Sequence, residues 1–160
     1  MNKSFENCTL LDTYTWFQKA RPDVSDQDRQ SQFGVHLEEV VEMLDAVTVN
    51  KAAIPVLLNA RRALHALAEM VKAGQADYVV LDQDLFLDSL CDQNVTGVGV
   101  AYTQRYDFVG AMTEVNRSNF SKFDEAGNPI RNEHGKIMKG SLYIIAVLSP
   151  YLPQPEPVDL

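Results

Sequence analysis

The stretch HLEEVVEMLDAV, His36–Val47, decides the fold. Leu37, Val40, Val41, Leu44 and Val47 follow the i, i+3, i+4, i+7 spacing of a helix stripe that faces a core. Glu38, Glu39, Glu42 and Asp45 lie opposite that stripe. Working toward the N-terminus, Asp23, Ser25 and Asp26 are N-cap candidates for this helix. A preceding helix is predicted from about Thr9 to Ala20, stopping before Pro22, because a residue before proline disfavours the helical region. On the C-terminal side a third helix starts near Pro55, where a missing N–H costs little. It continues through Leu57, Leu58, Leu64, Leu67, Ala68 and Val71, and Gly74 ends it.

A fourth helix is predicted from Asp82 or Asp84 to about Arg105. Leu85, Phe86, Leu87, Leu90, Cys91, Val95, Val98 and Val100 fall on every side of it, the pattern of a buried helix. Gly97 and Gly99 would admit a close neighbour. A fifth helix covers Phe108 to Asn119. Beyond it, FDEAGNPIRNEHGKIMKG carries turn signals at Ala126-Gly127-Asn128-Pro129 and at His134-Gly135, and reads as a loop or small hairpin. The expectation is an all-α fold, a helical bundle of about five helices with a C-terminal loop or hairpin segment. One domain spans residues 1–152, and a flexible proline-rich tail spans 153–160.

The chain has 160 residues and a formal net charge of −8. That length fits one core. The charge argues against a nucleic-acid polymer as partner, since such binding uses Lys and Arg to neutralise phosphates. It leaves room for a small nucleotide whose charge a metal ion meets. The two cysteines, Cys8 and Cys91, do not make a disulfide framework. No apolar run follows a basic N-terminal stretch, and none approaches the roughly 20 residues that span a bilayer. A cytoplasmic protein with no membrane contact is expected.

Two acidic patterns carry the chemistry. In EEVVEMLDA, Glu39 and Glu42 share one helix turn, with Glu38 beside them. In LDSLCD, Leu87–Asp92, Asp88 and Asp92 are one turn apart on the helix expected to be buried. The first cluster alone also fits a solvated helix face. A buried unpaired carboxylate is costly, and no Lys or Arg lies between Lys72 and Arg105, so a metal is the better account of Asp88 and Asp92. All-oxygen donors suit Mg²⁺, or Mn²⁺, with Glu39, Glu42, Asp88 and Asp92 as ligands. His36, His65 and His134 have no mutual ligand spacing, so no zinc site is supported. Asn116, Arg117, Asn119, Lys122, Lys136 and Lys139 gather polar and cationic groups in one short stretch of an acidic chain. They read either as a charge-balancing loop or as a phosphate clamp over a metal-bound nucleotide.

These segments resemble a known group. EEVVEMLDA is similar to the EExxE helix of the MazG-like, all-α NTP pyrophosphohydrolases, a superfamily that also holds phosphoribosyl-ATP pyrophosphohydrolases and dimeric dUTPases. LDSLCDQNVTGVGVAY resembles its second acidic helix. EVNRSNFSKFDEAGNPI…GKIMKG resembles the C-terminal segment of a phage and bacterial subgroup. The resemblance runs from about Phe33 to Leu152. It implies a helical homo-oligomer, a dimer or tetramer, and Mg²⁺-dependent cleavage of a nucleoside triphosphate to the monophosphate and pyrophosphate. Glu39 and Glu42 match the ExxE pair, and Asp92 matches the Asp of the second motif. Many relatives carry an acid three residues before that Asp. Here Ser89 stands there, and the acid is Asp88. Glu38 or Glu39 would orient or deprotonate the attacking water. Some phage relatives act on purine deoxynucleotides such as dGTP. The alternatives are a phosphoribosyl-ATP pyrophosphohydrolase and a non-catalytic nucleotide-binding regulator.

Overall fold

A computed structural model describes residues 9–132 and 137–153. Lys136, the His134-Gly135 turn, Cys8 and the tail from residue 154 lie outside the described residues. Among those described, the chain is all-α, with α1 (Thr9–Ala20), α2 (Asp26–Asp45), α3 (Ile54–Lys72), α4 (Gln83–Thr103) and α5 (Phe108–Phe120), then a 3₁₀ turn at Ser149–Tyr151. Among the described residues no helix is long and apolar enough to cross a membrane. The chain divides into two compact units.

The unit Asp23–Gln83 is the α2–α3 hairpin. Of the candidate N-caps, Ser25 takes the role. Its Oγ accepts from Asp28 N–H at 3.1 Å, and the Asp28 carboxylate accepts from Ser25 N–H at 3.0 Å, a reciprocal cap. Pro55 sits in the first turn of α3. Gly74 has φ +67°, the left-handed conformation that glycine adopts without a Cβ clash, and the chain turns out of α3 there. Val41, Ala68 and Val71 are buried. Gly34 lets the helices meet: a Cβ there would fall 2.6 Å from Lys72 Cγ and 3.0 Å from the Ala68 carbonyl oxygen. Beyond α3, Tyr78 folds back on α2. Its N–H donates to Gln30 Oε1 at 3.2 Å, and its ring lies 4.3 Å from that of Phe33. Val47, expected to extend the stripe, lies past the end of α2 and is exposed.

The other unit joins the chain up to Pro22 with the chain from Asp84. Here α1 packs on α5, and polar groups set the contact. Asn116 is buried; its Nδ2 donates to the Thr9 carbonyl at 2.9 Å, and its Oδ1 accepts from Thr13 Oγ1 at 2.9 Å. Trp16 Nε1 donates to the Asn119 carbonyl at 2.9 Å, and the indole stacks on buried Phe123 at 6.0 Å. Asp107 caps α5 by accepting from Gly110 N–H at 3.0 Å. The segment after α5 makes two isolated antiparallel bridges, Phe123–Pro129 and Arg131–Ile137.

The fourth helix corrects an expectation. It packs on neither α1 nor α5 of its own unit. Leu85, Leu87, Val95, Val98, Val100 and Tyr102 are exposed, Tyr102 by 80%. A Cβ added at Gly97 or Gly99 would meet nothing within 4 Å, so neither glycine serves a close helix approach in this chain. The all-round apolar pattern read as burial describes a surface instead.

Candidate functional site

On α2 the acidic face divides. Glu38 Oε2 lies 3.0 Å from Lys72 Nζ of α3, and Lys72 also pairs with Glu69 at 2.6 Å. Asp45 pairs with Arg61. The hydrogen bond Lys72 donates to Glu69, and then the Glu38 carboxylate, hold the Lys72 ammonium above its usual range against some desolvation. Lys72 in turn draws Glu69 below the ordinary carboxylate range. Glu39 and Glu42 sit one turn apart between these pairs, exposed to solvent.

Asp88 and Asp92 are exposed on α4. The burial cost invoked for them therefore does not operate in this chain, and only their chemistry and spacing speak for a ligand role. Asn94, which shares their turn, donates to the Leu90 carbonyl of its own helix at 2.8 Å. Glu39 and Glu42 belong to one unit, Asp88 and Asp92 to the other. Among the described residues no three His, Cys, Asp or Glu side chains gather into a metal-holding group.

Several members of the cationic stretch have work within the fold. Asn116 spends its amide on α1, as above. Arg117 makes a two-pronged pair with Glu114, both contacts at 2.6 Å, and also donates to the Ile145 carbonyl at 3.1 Å. Glu114 accepts from Val147 N–H at 2.9 Å. These donors, Arg117 foremost and then Val147, hold the Glu114 carboxyl at about 2. The pair pins the segment 145–147 to α5. Asn119 Oδ1 accepts from Lys122 Nζ at 2.7 Å, and that ammonium stands 5.7 Å from the Trp16 ring. Lys139 lies 4.7 Å from the Tyr143 ring.

The cations of α3 are what sequence reasoning missed. Arg61, Arg62 and His65 line a groove on the α2–α3 hairpin with Val41, Asp45 and Leu58. Their i, i+1, i+4 spacing was the available signal, since it places three basic side chains on one side of a helix. No protein-family model, curated protein or solved structure matches this chain.

Proposed function

We propose that the protein is a Mg²⁺-dependent nucleoside triphosphate pyrophosphohydrolase, converting a (d)NTP and water to the (d)NMP and pyrophosphate. The observation that carries this reading is the exposed Glu39–Glu42 pair on α2, flanked by carboxylates that cations of α3 already neutralise. Two carboxylates one turn apart form an all-oxygen donor set that fits a hard divalent cation. Asp88 and Asp92 on α4 repeat it. On α2, Glu39 and Glu42 would hold the ion, Mg²⁺ or Mn²⁺. When bound, such an ion polarises phosphoryl oxygens and acidifies a bound water.

The chain's own groups do the rest. Glu38 or Glu39 takes the proton of the attacking water, and the Lys72 contact on Glu38 would hold that carboxylate in place if it is the base. The water oxygen attacks the α-phosphorus, the bond to the bridging oxygen of the β-phosphate breaks, and pyrophosphate leaves with that electron pair. The resemblance adds Lys122 and Lys139 as the cations that would neutralise phosphate charge. A purine deoxynucleotide such as dGTP is the proposed substrate, on the strength of the resemblance alone, and the cytoplasm the proposed place of action.

A homo-oligomer is the proposed assembly. Its support is the exposed apolar surface of α4, where Leu85, Leu87, Val95, Val98, Val100 and Tyr102 all face solvent. Leu87 and Val98 lie on the side of the helix opposite Val100, so one neighbouring surface cannot cover both. A second copy of the chain is the proposed cover. Incubation with each canonical (d)NTP and Mg²⁺, with product analysis, tests the activity. Monophosphate and pyrophosphate in equal amounts support it; nucleotide binding without turnover points to a regulator.

A further inference from the structure

We infer that the groove of about 430 Å³ on the α2–α3 hairpin is a phosphate-binding subsite, with Arg62 and His65 as its donors. The groove has an apolar wall, Val41 and Leu58, and a polar one, Asp45, Arg61, Arg62 and His65. Arg61 and Asp45 pair with each other, so their charges cancel and the carboxylate does not repel an incoming anion. Arg62 is left to supply net positive charge. It is anchored by its own helix: Nε donates to the Leu58 carbonyl at 3.2 Å, and Nη2 donates to Asn59 Oδ1 at 2.9 Å. Those two bonds fix the guanidinium plane and use two of its five N–H donors. The other three are the fork that suits phosphate oxygens, already oriented before a ligand arrives. His65, one turn further along α3, adds a ring nitrogen on the same side.

Register ties this groove to the carboxylates. The pairs Glu38–Lys72 and Asp45–Arg61 fix how α2 and α3 run past each other. Interpolating between them sets Glu42 level with His65. On the pyrophosphohydrolase reading, a nucleotide held at Glu42 would have its phosphates at the axial level of His65, one turn from Arg62. The identity of the ligand rests on the pyrophosphohydrolase reading; the anion site itself does not.

The test separates the two. Binding of inorganic tripolyphosphate is measured by calorimetry in EDTA, with no nucleotide and no turnover. The wild-type chain should bind it. Arg62→Ala should weaken binding by about tenfold or more, the worth of a charge-assisted hydrogen bond. His65→Gln should weaken it less. Lys51→Ala, which removes one exposed charge from the loop between the same helices, should leave it unchanged. Circular dichroism confirms that each variant is folded, and Arg62→Lys, which keeps the charge but not the fork, should fall between wild type and Arg62→Ala. No binding by the wild-type chain, or equal losses in Arg62→Ala and Lys51→Ala, would overturn the site. Tripolyphosphate binding without any nucleotide turnover would sink the enzymatic reading and keep the anion site.

Discussion

Lys72 stands 3.0 Å from Glu38, joining the last turn of α3 to the acidic face of α2. The contact engages one carboxylate of the cluster with α3, while Glu39 and Glu42 are exposed. Lys72→Met keeps the aliphatic stem that covers Gly34 and removes only the charge. The pair is partly solvated, so the loss should be no more than about 1 kcal/mol, read as a small drop in Tm. The Lys72 ammonium is held above its ordinary value, so its contribution is full at neutral pH and is lost only as pH rises above 10.5. A Tm difference between wild type and Lys72→Met that persists above that range would contradict the assignment.

The Glu114–Arg117 pair makes a second, acid-side prediction. Glu114 is drawn from 4.5 to about 2 by Arg117 and Val147 N–H. A depressed carboxyl stabilises the fold above its unfolded value and loses that effect as pH falls through its folded value. The segment 145–147 should therefore stay docked at neutral pH and detach between pH 4.5 and about 2. Hydrogen exchange at Val147 N–H reads this directly. Glu114→Gln should show the faster exchange already at pH 7, and equal protection in the two proteins would refute it.

The helix boundaries were legible in the sequence because their signals are local. Pro22, the Ser25 cap, Pro55 and Gly74 each act on their own backbone, and α1 to α5 start and stop within a residue or two of the expected places. The environment of α4 was not legible. Apolar residues on all sides show that a helix avoids water; they do not say which molecule covers it. For the same reason Asp88 and Asp92, expected to need a metal to survive burial, are exposed and bear no burial cost. Nor could spacing show that Lys72 and Arg61 would cross from α3 to neutralise Glu38 and Asp45, since those are tertiary contacts. Asn116 and Arg117 illustrate the converse. Both are engaged in holding α1 and the C-terminal segment to α5, contacts that spacing alone does not reveal.

The exposed face of α4 leads to an assembly prediction. Leu87, Cys91, Val98 and Tyr102 recur at spacings of four, seven and four, one side of the helix. Val98→Glu places a charge in the middle of that side. In a free chain the change is at a surface position and should shift stability by no more than about 0.5 kcal/mol. In an oligomer it should split the assembly. Sedimentation equilibrium should give a multiple of 17.9 kDa for wild type and a smaller species for the variant. A wild-type chain that remains a monomer at micromolar concentration would contradict the proposed oligomer.

The most direct test of the central claim is pyrophosphate release from a purine deoxynucleoside triphosphate, followed with Mg²⁺, with EDTA, and in Glu39→Gln and Glu42→Gln. Monophosphate and pyrophosphate are expected in equal amounts with Mg²⁺, and neither with EDTA. Each variant should lose about a hundredfold or more in kcat, the usual share of a positioned acid–base group, with the helical signal intact. Turnover that survives EDTA, or that Glu39→Gln and Glu42→Gln leave at the wild-type rate, would contradict it.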